Sequence, residues 1–380
     1  MEPPIRTVSL SHFGHPSDMM DDATLAQRWS AIGRGESIAP PETHTSHLSY
    51  YKPLTEAVSE FVHWAQTPDE RIRLGFPQLD EQMRGIAPSE MLLINGYSHS
   101  GKTMFLLGIL NQNKDKRVVY FCPDEPRTLT LVKLACVANG INAYELEEGV
   151  ARNEQRAIDI LKETATTMFP NLAVFDQPMS LSDMEKAMGE TSDVLGKPDL
   201  MVFDYLELLQ GGGEDVPSKA NTIKAFGKRH NVPLIVLHQS SRSSGADGRK
   251  QTISSGAYGG EQQASHIIGV RRKKFEIQSQ IQEIQEKLAK GSATERLLER
   301  MDVLRYEERI HDNTVTLNLV KCKRPASSLL DDMDYEIEQG TGRLLPMDGM
   351  PYGMTLAGKQ EAQQYEEFLA ETQQEILFGN

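Results

Sequence analysis

Residues 96–103 read Gly-Tyr-Ser-His-Ser-Gly-Lys-Thr and complete the pattern GxxxxGK[ST]. That order of residue types suits a triphosphate. Gly96 and Gly101 let backbone N–H groups turn inward around a phosphate, Lys102 neutralises β and γ oxygens, and the Thr103 hydroxyl is a ligand for Mg2+. Tyr97, Ser98, His99, Ser100 and Met104 complete the stretch expected to meet the nucleotide, and His99 is its unusual member. The flanking segments fit, because "MLLIN" reads as a strand and "TMFLLGILNQ" as a helix whose N-terminal dipole favours anions.

Hydrolysis requires more than a cradle. It needs an acid for the water shell of the metal, a base or orienter for the attacking water, and a group that senses the γ-phosphate. "LMVFDYLELL" supplies Asp204 at the end of an apolar run, and Asp176 in "LAVFDQ" has the same form, so spacing alone does not choose between them. "YFCPDEP" places Asp124 and Glu125 just beyond a strand. Adjacent residues of an extended chain point in opposite directions, so one of the two is the expected base: Glu125 has the longer reach, whereas Asp124 can be the better placed. Gln239 in "LHQSSRSS" stands at a strand end, where a side-chain amide is suited to sensing a γ-phosphate.

Two further clusters carry charge. The Gly/Ser-rich stretch 243–262 contains Arg249, Lys250, Ser254, Ser255 and Gly256, and Arg242 lies just ahead of it. Flexible backbone with cations and hydroxyls is suited to gripping a phosphodiester backbone without reading bases; an unliganded flexible loop is the competing reading. "KCKRP" gathers Lys321, Lys323 and Arg324 at the end of an alternating strand. Such cations are either a solvated edge or fingers that reach a neighbouring subunit's triphosphate.

These groups must be held by a scaffold. Residues 90–96, 117–123, 171–177, 199–205, 232–239 and 266–272 are short apolar runs, and helix-period segments at 127–139, 153–168 and 218–230 lie between them. Strands apolar on both faces and separated by helices predict an α/β core: a mostly parallel sheet flanked by helices. Residues 275–308 interrupt the rhythm with a predicted helical hairpin in which Ile277, Ile281, Ile284 and Leu288 face Leu297, Leu298, Met301 and Leu304. Residues 313–323 alternate as a strand, and 333–347 read as a C-terminal β-hairpin turning at "GTG".

The ends are less patterned. Residues 1–50 are expected to be poorly ordered, 51–71 to form a linker, 72–347 to form the ATPase domain and 348–380 an acidic tail. Within the linker, Leu54, Val58, Phe61, Val62 and Ala65 share one face of a short helix, which must either pack on its own chain or dock on a neighbouring subunit. No apolar run is long enough to span a bilayer and no signal-peptide pattern opens the chain, so a cytoplasmic protein without a membrane partner is expected. The net charge of −14 argues against indiscriminate wrapping of DNA, although a channel can be basic inside an acidic particle. Cys122, Cys136 and Cys322 have no zinc-like spacing and read as reduced thiols.

Taken together, "GFPQLDEQMRGIAPSEMLLINGYSHSGKT", "VFDYLELL", "VPLIVLHQSSR" and "SSGAYGGEQQASHIIGV" resemble, in that order, the motor domain of DnaB-type replicative helicases, members of the RecA-like ATPase superfamily. The similarity spans about residues 72–345 apart from the insertion. It implies a RecA-like P-loop core, ATP and Mg2+ as cofactors, single-stranded DNA as partner, and self-association into a ring, a hexamer in this family. Carried over by position, Lys102 and Thr103 hold phosphate and Mg2+, Asp204 rather than Asp176 is the metal acid, and Gln239 is the sensor. The family's catalytic Glu falls on Asp124, with Glu125 next to it, and its Lys-x-Arg finger on the Lys321–Arg324 cluster, here without the following Asn-Gly. The resemblance also implies a shortened, phage-type version lacking the usual N-terminal domain, with a primase or loader as further partners. A RecA- or RadA-like recombinase filament and a KaiC-like regulatory ATPase without DNA binding are the alternatives that share this core.

Overall fold

The computed structural model describes residues 54–68, 71–204, 206–208, 210, 215–239, 260–290, 294–324 and 332–346. The chain falls into two compact units, one up to Val62 and one from His63 onward. In the first, the described residues belong to helix α1 (Leu54–Gln66), which carries no buried residue. Its Leu54, Val58, Phe61 and Val62 are exposed, as the apolar face of a helix awaiting a cover would be.

The second unit runs in order through α2 (Pro77–Met83), β1 (Met91–Gly96), α3 (Lys102–Gln112), β2 (Val118–Phe121), α4 (Arg127–Asn139), α5 (Ala143–Ala151), α6 (Gln155–Glu163), β3 (Leu172–Phe175), α7 (Leu181–Leu195), β4 (Leu200–Phe203), α8 (Val216–His230), β5 (Leu234–Gln239), α9 (Gly260–Gln263), β6 (His266–Arg271), α10 (Lys273–Ala289), α11 (Glu295–Ile310), β7 (Thr314–Cys322), β8 (Met333–Ile337) and β9 (Leu344–Pro346). The strands form a nine-stranded sheet in the order β3-β2-β4-β5-β1-β6-β7-β8-β9. Pairing is parallel from β3 through β6 and antiparallel from β6 to β9.

Successive side chains of a strand point to opposite faces, and the core divides accordingly. Leu92 and Ile94 join Phe105, Tyr120 and Ile235 on one face, while Met91 and Leu93 join Val119, Phe203 and Phe226 on the other. Each fully buried side chain of this size contributes about 1.5–3 kcal/mol of transfer free energy. Both faces of the central strands are therefore covered, which is why these runs read as continuously apolar rather than alternating.

The "GFPQLD" turn ahead of β1 is closed by its own acid: Asp80 accepts hydrogen bonds from the Leu74 N–H at 2.7 Å and the Gly75 N–H at 2.8 Å. The inserted hairpin is present as α10 and α11, with Ile277, Ile281, Ile284 and Leu304 buried in its seam and Leu288, Leu297 and Met301 packed against them. Leu298, expected in that seam, is 46% exposed. Leu297, Met301 and Leu304 fall at i, i+4 and i+7 on the inner stripe, and Leu298 lies one position around the helix from it. The C-terminal β-hairpin turns through Gly340 and Gly342, both at positive φ.

Candidate active site

The phosphate loop leaves β1 at Gly96 and re-enters helix α3 at Gly101. Gly96 has no room for a side chain, since a Cβ there would stand 2.4 Å from the Val270 carbonyl oxygen and 2.5 Å from Ser100 Oγ. Gly101 takes φ 102°, a left-handed value that favours glycine, and forms the N-cap of α3. His99 is exposed and also left-handed, at φ 59°. Sequence reading singled out this position without that constraint; three-dimensional turn geometry is what imposes it.

The Lys102 side chain folds back into the loop, donating to the carbonyls of Gly96 at 2.9 Å and Tyr97 at 2.7 Å. Its ammonium is thus held at the concave side of the turn with only 8% of the residue exposed. Ser100 Oγ is buried there without a hydrogen-bond partner among the described residues. A tight glycine cradle, a centred ammonium, an orphaned hydroxyl and a helix N-terminus together fit a polyphosphate, and the Thr103 hydroxyl at the first turn of α3 suits its divalent cation.

Asp204 immediately follows β4 and is 7% exposed. Its N–H donates to the Phe121 carbonyl at 2.8 Å, and its carboxylate accepts the Tyr120 hydroxyl at 2.9 Å. Its pKa is raised to about 6: burial is the main cause, the Tyr120 hydrogen bond and the Lys102 charge oppose it, and the charges of Glu125 and Asp124 add to it. Asp204, Lys102, Glu125 and Asp124 thus share one electrostatic neighbourhood. A divalent cation would neutralise this crowd of carboxylates.

The rival acid has another occupation. Asp176 accepts the Arg127 N–H at 2.9 Å, so it caps the start of α4. Of the two adjacent acids after β2, Glu125 turns toward α4, where it forms an ion pair with Lys133 and accepts the Thr130 hydroxyl at 3.1 Å. Asp124 is exposed and makes neither contact. Gln239 ends β5, where its Cα is the register partner of Gly96 in the parallel β1–β5 pair. The expected sensor therefore stands directly beside the first glycine of the cradle.

Of the finger cluster, Lys321 lies on β7 and Lys323 is exposed just beyond it. Arg324 behaves differently from a reaching cation. Its guanidinium donates to the carbonyls of Met83 and, at 2.6 Å, of Gly85, pairs with Glu90, and lies 4.4 Å from the centroid of the Trp64 ring. The buried counter-charge on Glu90 and the aromatic face turn it inward. Arg242, Arg249, Lys250, Ser254, Ser255 and Gly256 lie outside the described residues. Sequence reading missed Tyr120, Lys133 and Glu90, because each acts through a contact that primary spacing does not display.

The family described as the DnaB-like helicase C terminal domain matches residues 72–298, more than half of the chain. The replicative DNA helicase DnaB of Geobacillus stearothermophilus is 25% identical over 183 residues, covering 45% of this chain and 40% of the relative. The replicative DNA helicase DnaC of Bacillus subtilis is 23% identical over 182 residues, again with 45% and 40% covered. The chain thus aligns with less than half the length of these relatives. Among solved structures, the ATPase domain of G40P superposes with TM-score 0.58 at 17% identity, over 78% of this chain and 100% of that one. A DnaB-like replicative helicase studied with primase gives TM-score 0.57 at 16% identity, over 86% and 76%. No described helix is long and apolar enough to cross a membrane. With a RecA-like sheet, a complete phosphate loop at its β1–α3 turn and a family match over most of that core, the chain belongs to the DnaB-like helicase C-terminal domain family.

Proposed function

We propose that the protein is an ATP-driven motor that assembles as a ring and translocates on single-stranded DNA, separating duplex by admitting one strand. The observation that carries this reading is the convergence of Lys102, Asp204, Asp124 and Gln239 at the carboxyl ends of β1, β4, β2 and β5, where ligands of open parallel sheets bind. Lys102 binds the β- and γ-phosphates, Thr103 is the protein ligand of Mg2+, and Asp204 orients the water around that ion. The ion supplies charge neutralisation at the transferring phosphoryl group. Asp124 orients the attacking water and accepts its proton, while Lys133 holds Glu125 aside. Gln239 reports the γ-phosphate to the Gly/Ser-rich segment that follows β5. That segment, with Arg242, Arg249, Lys250, Ser254, Ser255 and Gly256, grips the DNA backbone.

Lys321 and Lys323 complete the neighbouring subunit's site as trans-acting cations. Burial, and after it the charges of Lys323, Lys228 and Lys321, depress the pKa of Lys224, so these lysines share one cationic patch at this end of the sheet. Such a patch suits a partner's triphosphate. The exposed apolar face of α1 docks on an adjacent subunit, and a primase or loader is a further partner.

The test is steady-state ATPase activity with and without single-stranded DNA, alongside unwinding of a forked duplex, for the natural protein and Lys102→Ala. Stimulation by DNA, unwinding of the fork and loss of both in Lys102→Ala are expected. Hydrolysis with no response to DNA and no unwinding supports a regulatory ATPase instead, and strand pairing on an open filament supports a recombinase.

A further inference from the structure

Cys122, Cys136 and Cys322 occupy different environments. Cys122 and Cys136 are buried; burial, chiefly, pushes the Cys122 thiol up to about 12 and raises that of Cys136. Cys322 is half-buried at the end of β7, between Lys321 and Lys323. Its cross-strand register partner is His266 of β6, whose side chain is wholly buried.

The surroundings of that histidine determine what it can do. Its Nε2 lies 3.2 Å from Glu90 Oε2. A carboxylate accepts hydrogen bonds, so Nε2 carries the hydrogen and Nδ1 presents a lone pair. Nδ1 is buried without a hydrogen-bond partner among the described residues, and Cys322 stands directly opposite the histidine across the β6–β7 pair. Glu90 is itself fixed by the Ala87 N–H at 2.8 Å and by Arg324. Nucleophile, base and orienting carboxylate therefore stand in sequence, the arrangement by which side chains generate a thiolate. Burial alone would push the thiol up and the imidazole down. Their mutual influence, with the charge of Arg324 acting on the thiol and Glu90 on the ring, reverses both directions.

We infer that Cys322, with His266 as its base and Glu90 orienting the imidazole, is a site of reversible thiol–disulfide exchange with small disulfides. A mixed disulfide there disables the cations on either side, and this consequence rests on the function proposed above. The thiol proton passes to His266 Nδ1. The thiolate then attacks one sulfur of the disulfide, an S–S bond forms to Cys322 as the original S–S bond breaks, and the second half leaves as a thiolate that takes up a proton. Cys322 is oxidised, the released half is reduced, and an external thiol reverses the exchange. The bulk enters between Lys321 and Lys323, beside the patch that includes Lys224.

The experiment uses the full chain with dithiobis(nitrobenzoate), an aromatic disulfide whose released thiolate is coloured, and a peptide of residues 318–327 as reference thiol. One thiol is expected to react about tenfold or more faster than the peptide at neutral pH. Mass spectrometry is expected to place it at Cys322, Cys322→Ser to abolish the fast phase, and His266→Gln to slow it to the peptide rate. Should His266→Gln fail to fold, the natural protein's pH profile decides: its exchange rate rises at lower pH than the peptide's. Cys322 reacting no faster than the peptide, or together with Cys122 and Cys136, overturns the site. The mixed disulfide is expected to remove most of the DNA-stimulated ATPase, dithiothreitol to restore it, and Cys322→Ser to be indifferent to the reagent. Full modification with unchanged ATPase overturns the switch. A protein with no DNA stimulation overturns the function and with it the switch, while the exchange rates still decide the site.

Discussion

The guanidinium of Arg324 lies 4.4 Å from the centroid of the Trp64 ring, and that of Arg71 lies 3.8 Å from the same centroid. Arg71 also donates to the Trp64 carbonyl and to that of Ala65 at 2.9 Å, so the two guanidiniums meet at one indole. This makes Arg324 an anchor within its own chain. Arg324→Ala leaves Glu90 and the carbonyls of Met83 and Gly85 without that donor, and is expected to cost about 2–4 kcal/mol. Chemical denaturation measures it. A trans-acting finger would instead lose ATPase activity with stability intact, and its defect would be corrected at mixed interfaces where the neighbour is natural. The anchor is also acid-sensitive. Burial raises the Glu90 pKa, but His266, the Ala87 N–H and Arg324 outweigh burial and hold it below the ordinary value. Its contribution is full above the ordinary carboxylate range and is lost as pH falls through the depressed pKa, so the natural protein and Arg324→Ala should converge in stability at acid pH.

Tyr120 supplies the one hydroxyl hydrogen-bonded to Asp204 among the described residues, from a position with no solvent exposure. Tyr120→Phe keeps the ring in the core and deletes that donor. The loss of one hydrogen bond to a charged group corresponds to about 1.5–3 kcal/mol, or a fall of about tenfold or more in turnover if Asp204 is the metal acid. Nucleotide binding, followed by a fluorescent analogue, should change little and the fold not at all. Turnover equal to that of the natural protein would mean that Asp204 needs no orientation from Tyr120.

The parts of this molecule legible in the sequence are those governed by local repetition. Leu92, Leu93 and Ile94 are apolar without alternation because both faces of β1 are covered, so the strand and its layer were readable together. The glycine and lysine pattern of the phosphate loop was readable for the same reason: backbone geometry demands particular residues at particular steps. Asp176 and Asp204 could not be separated this way, because what distinguishes them is long-range. Asp176 caps a helix that begins 49 residues earlier, and Tyr120 reaches Asp204 across 84 residues of sequence. Arg324 shows the same limit, since its partners Trp64, Met83, Gly85 and Glu90 come from the far end of the domain. Leu298 was misplaced by a single helical position, which is the resolution of a period-based reading.

His99 holds a left-handed backbone at φ 59° and is exposed. A residue with a Cβ is disfavoured there by roughly 1–2 kcal/mol, less the relief that histidine has relative to branched residues. His99→Gly should therefore leave stability unchanged or raise it by up to about 1 kcal/mol, after the greater chain entropy of glycine is offset. Nucleotide affinity should be the same within twofold, about 0.4 kcal/mol. A large loss of affinity with stability preserved would give the imidazole a direct part in holding nucleotide. Gly96→Ala is the contrasting case: its Cβ would stand 2.4 Å from the Val270 carbonyl oxygen, and both stability and nucleotide binding should fall.

The two acids after β2 differ in what already holds them. Glu125 is engaged by Lys133 and Thr130, whereas Asp124 is exposed and shares the electrostatic neighbourhood of Asp204. If Asp124 is the base, Asp124→Asn keeps its size and removes its proton affinity, lowering single-turnover hydrolysis by about 10²–10⁴-fold with nucleotide binding retained. Glu125→Gln should cost less than about tenfold, because its main loss is the ion pair to α4. Lys133→Met separates the two roles further. It frees Glu125 without touching Asp124, so in an Asp124→Asn background it should restore part of the lost turnover by allowing the longer carboxylate to swing toward the phosphate site. The reverse pattern, with Glu125→Gln inactive and Asp124→Asn nearly normal, would assign the base to Glu125. The Lys133 pair would then be a resting position from which the glutamate is drawn when nucleotide binds.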